Sequence, residues 1–504
     1  MCPDVRGGNR RKGRGGCPLM GRRQFLTRAG LAGGAALALN TGLFSLSTRK
    51  VMGAPVLPGA GDGQARIRAA FSRPQDEYYM GWPGAAYDTA ASQARYTEIL
   101  EESAGRRNIE LEIVSAPLRN TEHAADFLQE TEEQGFDGAL LTVMALHPDG
   151  WSAVDDVLEH RAEPRNLPTT VFAPQGVQFT PYLRARQDIP HSFIGATEDV
   201  EWLDSGLRLL NAVWQMAHTR LAVIQGTDER EEVVEPVGAT LHYMPLDRFA
   251  EAYDATEGAE EAEAIARTYM ENAEETLEPS EEEVLEAART YLANRQIMEE
   301  TGCHAVTMDC LGLVTQKRTP PPCMAYMQLL DEKTCGCCER DITSALSLML
   351  SSYLCEKPAF LHNPTPNTVR NTYGGAHCTA PTLMDGFDEA PSSYILRNHH
   401  ESDWGVAPQV LLREGQRATV MQFLGGFGSL MAATGSILHN IDTQPHDGVG
   451  GCRTAFQMEV DDVANVLDIR GHHNVLIYGD HLQDLRAWCR LAGVELEHLT
   501  GGAI

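Results

Sequence analysis

Four side chains that can bind a metal ion or move a proton stand at the ends of apolar segments in the second half of the chain. They are Glu339 in CCERDITSAL, His362 in KPAFLHN, His377 in GGAHCTAP and His473 in RGHHNVLIYGDH. Imidazole and carboxylate are donors that Mn²⁺, Zn²⁺ and Fe²⁺ accept. Their separations match no local metal motif. The residues alone therefore indicate a metal site of low specificity, and a capping Glu or a hydrogen-bonded structural His is the competing interpretation of each.

The local sequence gives two of these residues an expected position. Glu339 is expected to open a helix, where the helix dipole and the unpaired backbone N–H groups favour a carboxylate. His362 is expected to end a strand, which is where α/β sheets commonly carry site residues. In GGAHCTAP, the two glycines would let the backbone approach the site, and Cys378 would line the pocket.

Further polar residues could serve a substrate or orient a ligand. The stretch RNHHESDWGVAP offers His400 beside Trp404, a combination suited to sugar hydroxyls and to a ring face. An exposed polar loop is the alternative for this stretch. Asp480 follows the last apolar strand and could orient His473 from behind.

The cysteines are concentrated in the C-terminal half of the chain. Of the twelve cysteines, ten lie between Cys303 and Cys489, and TCGCCERD holds Cys335, Cys337 and Cys338 together. This cluster could bind zinc or an iron–sulfur centre, although the CxxCxxC spacing of many iron–sulfur sites is absent. A reactive thiol or simple packing beside Glu339 are the other interpretations.

Strand and helix patterns alternate over the first two thirds of the chain. Apolar runs such as ARIRAAFSR and FDGALLTVMAL predict strands, and YDTAASQARYTEILEESAG predicts a helix. Such alternation indicates parallel sheets covered by helices. A second round begins near residue 186, and shorter apolar segments with turn residues follow from about residue 375. The sequence therefore predicts an α/β protein with a β-rich C-terminal domain.

The first 54 residues differ from the rest of the chain. A basic region, the pair Arg22 and Arg23 followed by Phe25 and Leu26, and a mildly apolar stretch resemble a twin-arginine export signal. Removing this segment leaves 31 basic against 69 acidic residues, a formal charge of about −38. Such a surface repels nucleic acid and anionic membranes, so neither is expected as a partner. No apolar run after the signal has the length of a membrane span.

The order of the C-terminal segments resembles the L-fucose and L-arabinose isomerase family over roughly residues 300 to 490. ERDITSAL is similar to the EGDW-type helix start of the family, and KPAFLHN to its strand with an acidic ligand. GGAHCTAP is similar to its AHxxxxCP-like segment, and GHHNVLIYGDHLQDLRAWCRLAGVELE to its C-terminal segment with the NH pair.

The resemblance implies two Rossmann-like parallel-sheet domains followed by a C-terminal β-rich, barrel-like domain. The expected boundaries are 1–54 for the signal, 55–64 for a linker, 65–185 and 186–360 for the two Rossmann-like domains, and 361–504 for the β-rich domain.

The resemblance also implies a site and a reaction. Glu339, His377 and His473 match positions that bind a divalent metal, and His362 stands where the family has Asp or Glu. The metal, with Mn²⁺ expected first and Zn²⁺ or Fe²⁺ as alternatives, would hold two oxygens of an open-chain sugar while carboxylates move a proton through an enediol. Glu339 and His362 would be the catalytic residues, and the imidazole would alter both the metal preference and the base strength.

Two functions follow from this comparison. The first is an exported, periplasmic or extracellular, metal-dependent aldose–ketose isomerase, an intramolecular oxidoreductase that acts on a small-molecule sugar. Such a protein would be exported by the twin-arginine machinery and would form a homo-oligomer. The alternative is a non-catalytic periplasmic carbohydrate-binding protein on an isomerase-like fold, which the missing acid at His362 favours.

Overall fold

The computed structural model describes residues 63–73, 78–146, 150–160, 166–402, 404–441 and 451–499. The predicted signal over 1–54 and most of the predicted linker over 55–64 lie outside these residues. The chain divides into Met1–Met52 and Gly53–Ile504, and every described residue belongs to the second unit.

A five-stranded sheet, parallel throughout, forms the N-terminal part of the described chain. Its strands stand in the order β4-β1-β5-β6-β7. Their bounds are β1 Arg66–Ser72, β4 Glu110–Ile113, β5 Gly138–Val143, β6 Thr169–Ala173 and β7 Ser192–Ala196. A separate hairpin pairs β2 Tyr78–Met80 with β3 Ala86–Asp88. The helices of this part are α1 Thr89–Arg107, α2 Thr121–Glu133, α3 Trp151–His160, α4 Thr180–Arg186 and α5 Trp202–Ala217.

Helices cover both faces of this sheet because successive side chains of its buried strands point to opposite sides. Leu140 of β5 packs in one apolar cluster with Leu100 of α1 and Leu207 of α5. Its neighbour Leu141 packs in a second cluster, with residues of α2 and α3. The continuous apolar run of β5 is thus the sequence of a strand buried on both faces.

A second sheet follows, with strand order β13-β12-β8-β10-β9, in which β9 runs antiparallel to β10 and the other pairs are parallel. Its strands are β8 Arg220–Ile224, β9 Arg230–Val234, β10 Ala239–Met244, β12 Ala305–Met308 and β13 Cys335–Cys337. The helices between them are α6 Leu246–Ala255, α7 Glu260–Asn272, α8 Glu281–Thr301, α9 Cys310–Thr315 and α10 Cys323–Asp331, and α11 Ile342–Leu350 follows β13. A π-helical turn, Ser351–Cys355, extends α11.

Six antiparallel strands then close into a barrel. The ladder runs β18-β21-β14-β15-β20-β19, and the pairing of β19 with β18 closes it. Its strands are β14 Phe360–Pro364, β15 Tyr373–His377, β18 Arg417–Phe423, β19 Ser429–Asn440, β20 Thr454–Val460 and β21 Asn474–Tyr478. The prediction of a C-terminal barrel-like β structure is confirmed.

The remaining elements are a small sheet, one helix and one further strand. β16 Tyr394–Asn398 and β17 Val406–Val410 form a small sheet with β11 Glu275–Thr276. Helix α12 Leu482–Ala492 follows the barrel, and β22 Glu495–His498 pairs in parallel with β19. No helix among the described residues is long and apolar enough to cross a bilayer.

Candidate metal centre

The chain reverses sharply between β13 and α11, and Glu339 lies in that turn. Glu339 and Arg340 both adopt left-handed backbone angles, with φ of 60° and 54°. Asp341 then caps α11 by accepting a hydrogen bond of 2.9 Å from the backbone N–H of Ser344. Glu339 therefore does not occupy the helix start that the sequence suggested, because Asp341 holds the capping position.

His377 is the last residue of β15, and the two glycines before it serve the packing of the barrel. A Cβ on Gly375 would lie 2.1 Å from Cδ2 of His362, and a Cβ on Gly374 would lie 2.7 Å from the carbonyl oxygen of Phe456. Small residues are required here to admit the His362 ring and the neighbouring strand β20. The expected role of the glycines, close approach of the backbone to the site, is replaced by this packing role.

His473 directly precedes β21 and is held by a carboxylate. Its Nδ1 lies 2.8 Å from Oδ2 of Asp341, and its Nε2 lies 3.5 Å from Oε2 of Glu339. The side chain of His473 is 1% exposed. A carboxylate on one imidazole nitrogen fixes the orientation of the ring and directs the other nitrogen, here towards Glu339.

Glu339 stands between two histidines at distances that suit a shared cation. Its other oxygen, Oε1, lies 3.6 Å from Nε2 of His377, whose side chain is 4% exposed. Both separations exceed an ordinary hydrogen bond. Each of these two pairs of donors is close enough to bind one cation together.

Three buried imidazole nitrogens in this cluster have no hydrogen-bond partner: Nδ1 and Nε2 of His377 and Nε2 of His473. Buried polar atoms without partners are rare in folded proteins. A divalent cation between Glu339, His377 and His473 would satisfy two of them. The donor set of one carboxylate and two imidazoles suits Mn²⁺, Zn²⁺ or Fe²⁺.

The electrostatics of this cluster favour the ionised carboxylates. His377 and His473 hold the pKa of Glu339 far below its usual range. Burial acts to raise the pKa of Asp341, but hydrogen bonds from His473 and Thr343 lower it to about 2. Burial likewise opposes the charge on His473, yet Asp341 and Glu339 raise the pKa of His473 to about 9. Burial lowers the pKa of His377, so that its ring is neutral and able to bind a cation.

A third histidine, His472, belongs to the same cluster. Donor atoms of Glu339, His472 and His473 all lie within 4.8 Å of one another, and the side chain of His472 is exposed. The His472 and His473 rings are 4.5 Å apart. The sequence analysis missed His472 and Asp341, although the HH pair and the Asp at a helix start were visible signals.

His362 occupies a different place from the one expected. It lies in the middle of β14, an antiparallel barrel strand, and is fully buried. Its Nδ1 lies 3.1 Å from the carbonyl oxygen of Phe360, and its Nε2 lies 2.7 Å from the hydroxyl of Tyr373. Both ring nitrogens are therefore engaged, and burial lowers the pKa of His362 to about 3, so His362 is a residue of the barrel core.

The two predicted sugar contacts lie in the loop after β16. His400 is half-buried there. The indole N–H of Trp404 donates to Oε2 of Glu286 at 3.1 Å, and the Lys317 ammonium lies 5.3 Å from the centre of its ring. The ring of Trp404 therefore already has polar and cationic partners within the chain.

The remaining predicted residues near the site have other partners. Asp480 lies 3.4 Å from the guanidinium of Arg417, and the carboxylate beside Nδ1 of His473 is that of Asp341. Cys378 is buried in a cluster with Cys323.

The cluster of Cys335, Cys337 and Cys338 is packed into the core. All three thiols are buried and free. The Cys337 thiol donates to the carbonyl oxygen of Asp341 at 3.3 Å, and burial raises the pKa of Cys335. Among the described residues, the donors that all lie within 4.8 Å of one another are those of Glu339, His472 and His473, and neither His377 nor these cysteines belong to that group. Packing beneath the Glu339 turn is the interpretation that the structure supports.

Comparisons with known proteins identify no family for this chain. A scan against protein-family models and a search of curated proteins found no match. Among solved structures, the chain is similar to a sugar ABC transporter protein from Yersinia enterocolitica subsp. enterocolitica 8081, with 11% identity, a TM-score of 0.17, and coverage of 58% of this chain and 86% of that one. It is also similar to a structure described as an XylFII molecule, with 10% identity, a TM-score of 0.17, and coverage of 55% and 96%. At these scores the similarity carries no argument about fold or function.

Proposed function

We propose that the protein binds a divalent metal ion between Glu339, His377 and His473 and acts on a sugar as a metal-dependent aldose–ketose isomerase. The observation that carries the metal site is the half-buried carboxylate of Glu339, which lies 3.5–3.6 Å from two buried imidazole nitrogens that have no hydrogen-bond partner. The metal would supply electrophilic stabilisation of the negative charge that develops when a proton leaves the carbon next to a carbonyl group.

Each residue of the cluster has a distinct task in this proposal. Glu339 brings the negative charge, and the left-handed turn projects it away from β13 towards the barrel. Asp341 keeps a proton on Nδ1 of His473, so that Nε2 faces Glu339 as a lone-pair donor once the ring loses its second proton. His377 remains neutral because of its burial, and its lone pair is available without loss of a proton.

The reaction class comes from the family resemblance of the C-terminal segments. We further propose that the two sheets of the N-terminal part are Rossmann-like domains and that the protein is exported and assembles into a homo-oligomer. The closed barrel that carries His377 and His473 is compatible with this assignment. Mn²⁺, Zn²⁺ and Fe²⁺ all remain candidates for the cation.

A second candidate function is carbohydrate binding without turnover. The position of His362 favours it, because the residue that replaces the family's acid is buried in the barrel with both nitrogens hydrogen-bonded. It can neither bind the cation nor exchange a proton with a substrate in this arrangement. A protein of this kind would retain the metal site and bind a sugar without isomerising it.

Metal analysis of the purified protein tests the site. We expect near-stoichiometric divalent metal in the wild type and its loss in His377→Ala and His473→Ala. His242→Ala is the matched control, because this half-buried histidine pairs with Glu231 on the second sheet and should leave the metal content unchanged. Metal that persists in both site variants would place the cation elsewhere.

Proton exchange separates the two functions. The metal-loaded protein is incubated with a panel of aldoses in D₂O, and deuterium at C-2 is followed by NMR together with ketose formation. An isomerase that uses an enediol exchanges this proton. Saturable sugar binding without exchange would establish the binding protein and overturn the isomerase proposal.

A further inference from the structure

Three cysteines from distant parts of the sequence meet beside the end of β15. Cys378 follows His377 directly, Cys452 precedes β20, and Cys323 begins α10. Cys323 and Cys378 pack together with Ala407, and Cys452 packs against this cluster. All three are free thiols.

The surrounding hydrogen bonds fix the chain segments that carry these thiols. Strands β15 and β20 are paired up to His377 and Thr454, one residue from Cys378 and two from Cys452. The Thr379 hydroxyl donates to the carbonyl oxygen of Cys323 at 2.6 Å. The pairing of β15 with β20 and the hydrogen bond from Thr379 to Cys323 therefore hold the segments that carry the three cysteines close together.

Accessibility distinguishes one thiol of the cluster. Of the ten cysteines that the structure describes, nine are buried and only Cys452 is partly exposed. A reagent in solution therefore reaches Cys452 first. Cys378 is buried beside it, where it can act as the second partner but not as the first.

We propose that Cys378 and Cys452 form a reversible disulfide by exchange with a low-molecular-weight disulfide such as glutathione disulfide. The Cys452 sulfur attacks one sulfur of the oxidant, the S–S bond of the oxidant breaks, and one thiol leaves with the proton. The Cys378 sulfur then attacks the Cys452 sulfur, the mixed disulfide breaks, and a second thiol leaves. Two thiols of the protein are oxidised while one disulfide is reduced to two thiols. This modification does not depend on the proposed metal function.

Peptide mapping of the oxidised full-length protein tests the pair. Reduced protein is incubated with glutathione disulfide, free thiols are alkylated, and the tryptic digest is read by mass spectrometry without reduction. Residues 371–397, 418–453 and 319–333 form tryptic peptides that each contain one cysteine of the cluster. We expect the first two peptides to be linked and two fewer cysteines to be alkylated than in the reduced protein. Dithiothreitol should restore both thiols.

Variants identify the order of attack. Cys378→Ser should stop at a mixed disulfide, with one glutathione on the peptide of Cys452, and Cys452→Ser should retain the thiols of the nine other cysteines that the structure describes. Cys303→Ser, at a buried cysteine outside the cluster, should form the disulfide as the wild type does. Linkage of either cysteine to Cys323, or wild-type protein that keeps all its thiols or retains glutathione on Cys452, would overturn the proposal.

Discussion

Replacing Asp341 by Asn should reduce the pH dependence that His473 gives to the stability of the metal-free protein. In the wild type, Asp341 and Glu339 raise the pKa of His473 from 6.5 to about 9. Because the folded-state pKa is raised, the stabilisation is complete below pH 6.5 and is lost as the pH rises through 9. At about 1.4 kcal/mol per pKa unit, the full contribution is about 3 kcal/mol.

Asn is a suitable substitute because it caps helices as well as Asp does, so the bond from Ser344 to residue 341 can persist. The charge is lost, however, and burial then favours a neutral His473. We therefore expect the variant to be less stable than the wild type by up to about 3 kcal/mol near pH 6.5 and nearly equal to it above pH 9.

Thermal unfolding followed by circular dichroism in the presence of EDTA measures this difference between pH 6.5 and 9. A change of 1 kcal/mol shifts the midpoint by about 2–4 °C in a domain of 150 to 250 residues, so several degrees are expected near pH 6.5. His481, whose pKa is raised to about 10 in part by Asp484, titrates partly in the same range in both proteins. Its contribution cancels in the comparison. A difference that stays constant or grows with pH would refute the reasoning.

Three further predictions concern the turn, the barrel and the carboxylate. Arg340→Gly should stabilise the protein by about 0.5–1 kcal/mol in chemical denaturation. The left-handed backbone costs about 1–2 kcal/mol for a residue with a Cβ, and the greater chain entropy of unfolded glycine offsets about 0.5–1 kcal/mol of that gain. Destabilisation would argue against strain at this turn. Gly375→Ala should destabilise by about 1–3 kcal/mol, since its Cβ would lie 2.1 Å from the His362 ring, whereas Gly425→Ala, with no atom within 4 Å, should be neutral. Glu339→Gln should weaken divalent metal binding at least tenfold in isothermal titration calorimetry, because the anionic donor is removed; unchanged affinity would exclude Glu339 as a ligand.

The sequence predicted the strands and helices whose signals are local. The buried run of β5 and the helical pattern of α1 were assigned correctly. Closure of the barrel could not be predicted, because it depends on the pairing of β18 with β19 and on registers between strands far apart in the chain.

The site was predicted only in part, again because some of its contacts join residues that are far apart in the sequence. Glu339, His377 and His473 were identified and do lie together. The direction in which His362 points is decided by the barrel and by the space left at Gly375, which no local pattern reports. The indole N–H of Trp404 donates to Glu286, a residue 118 positions away, and a sequence pattern carries no information about such a contact.

The left-handed turn at Glu339 has a mechanical consequence. The carboxylate belongs to the segment that leaves β13 of the second sheet, whereas His377 ends β15 of the barrel and His473 directly precedes β21. A cation held by all three would act as a removable cross-link between the sheet and the barrel, in addition to direct hydrogen bonds such as that between Asp341 and His473. Chelation would then cut this link, and the sheet and the barrel would respond more independently to heat or protease.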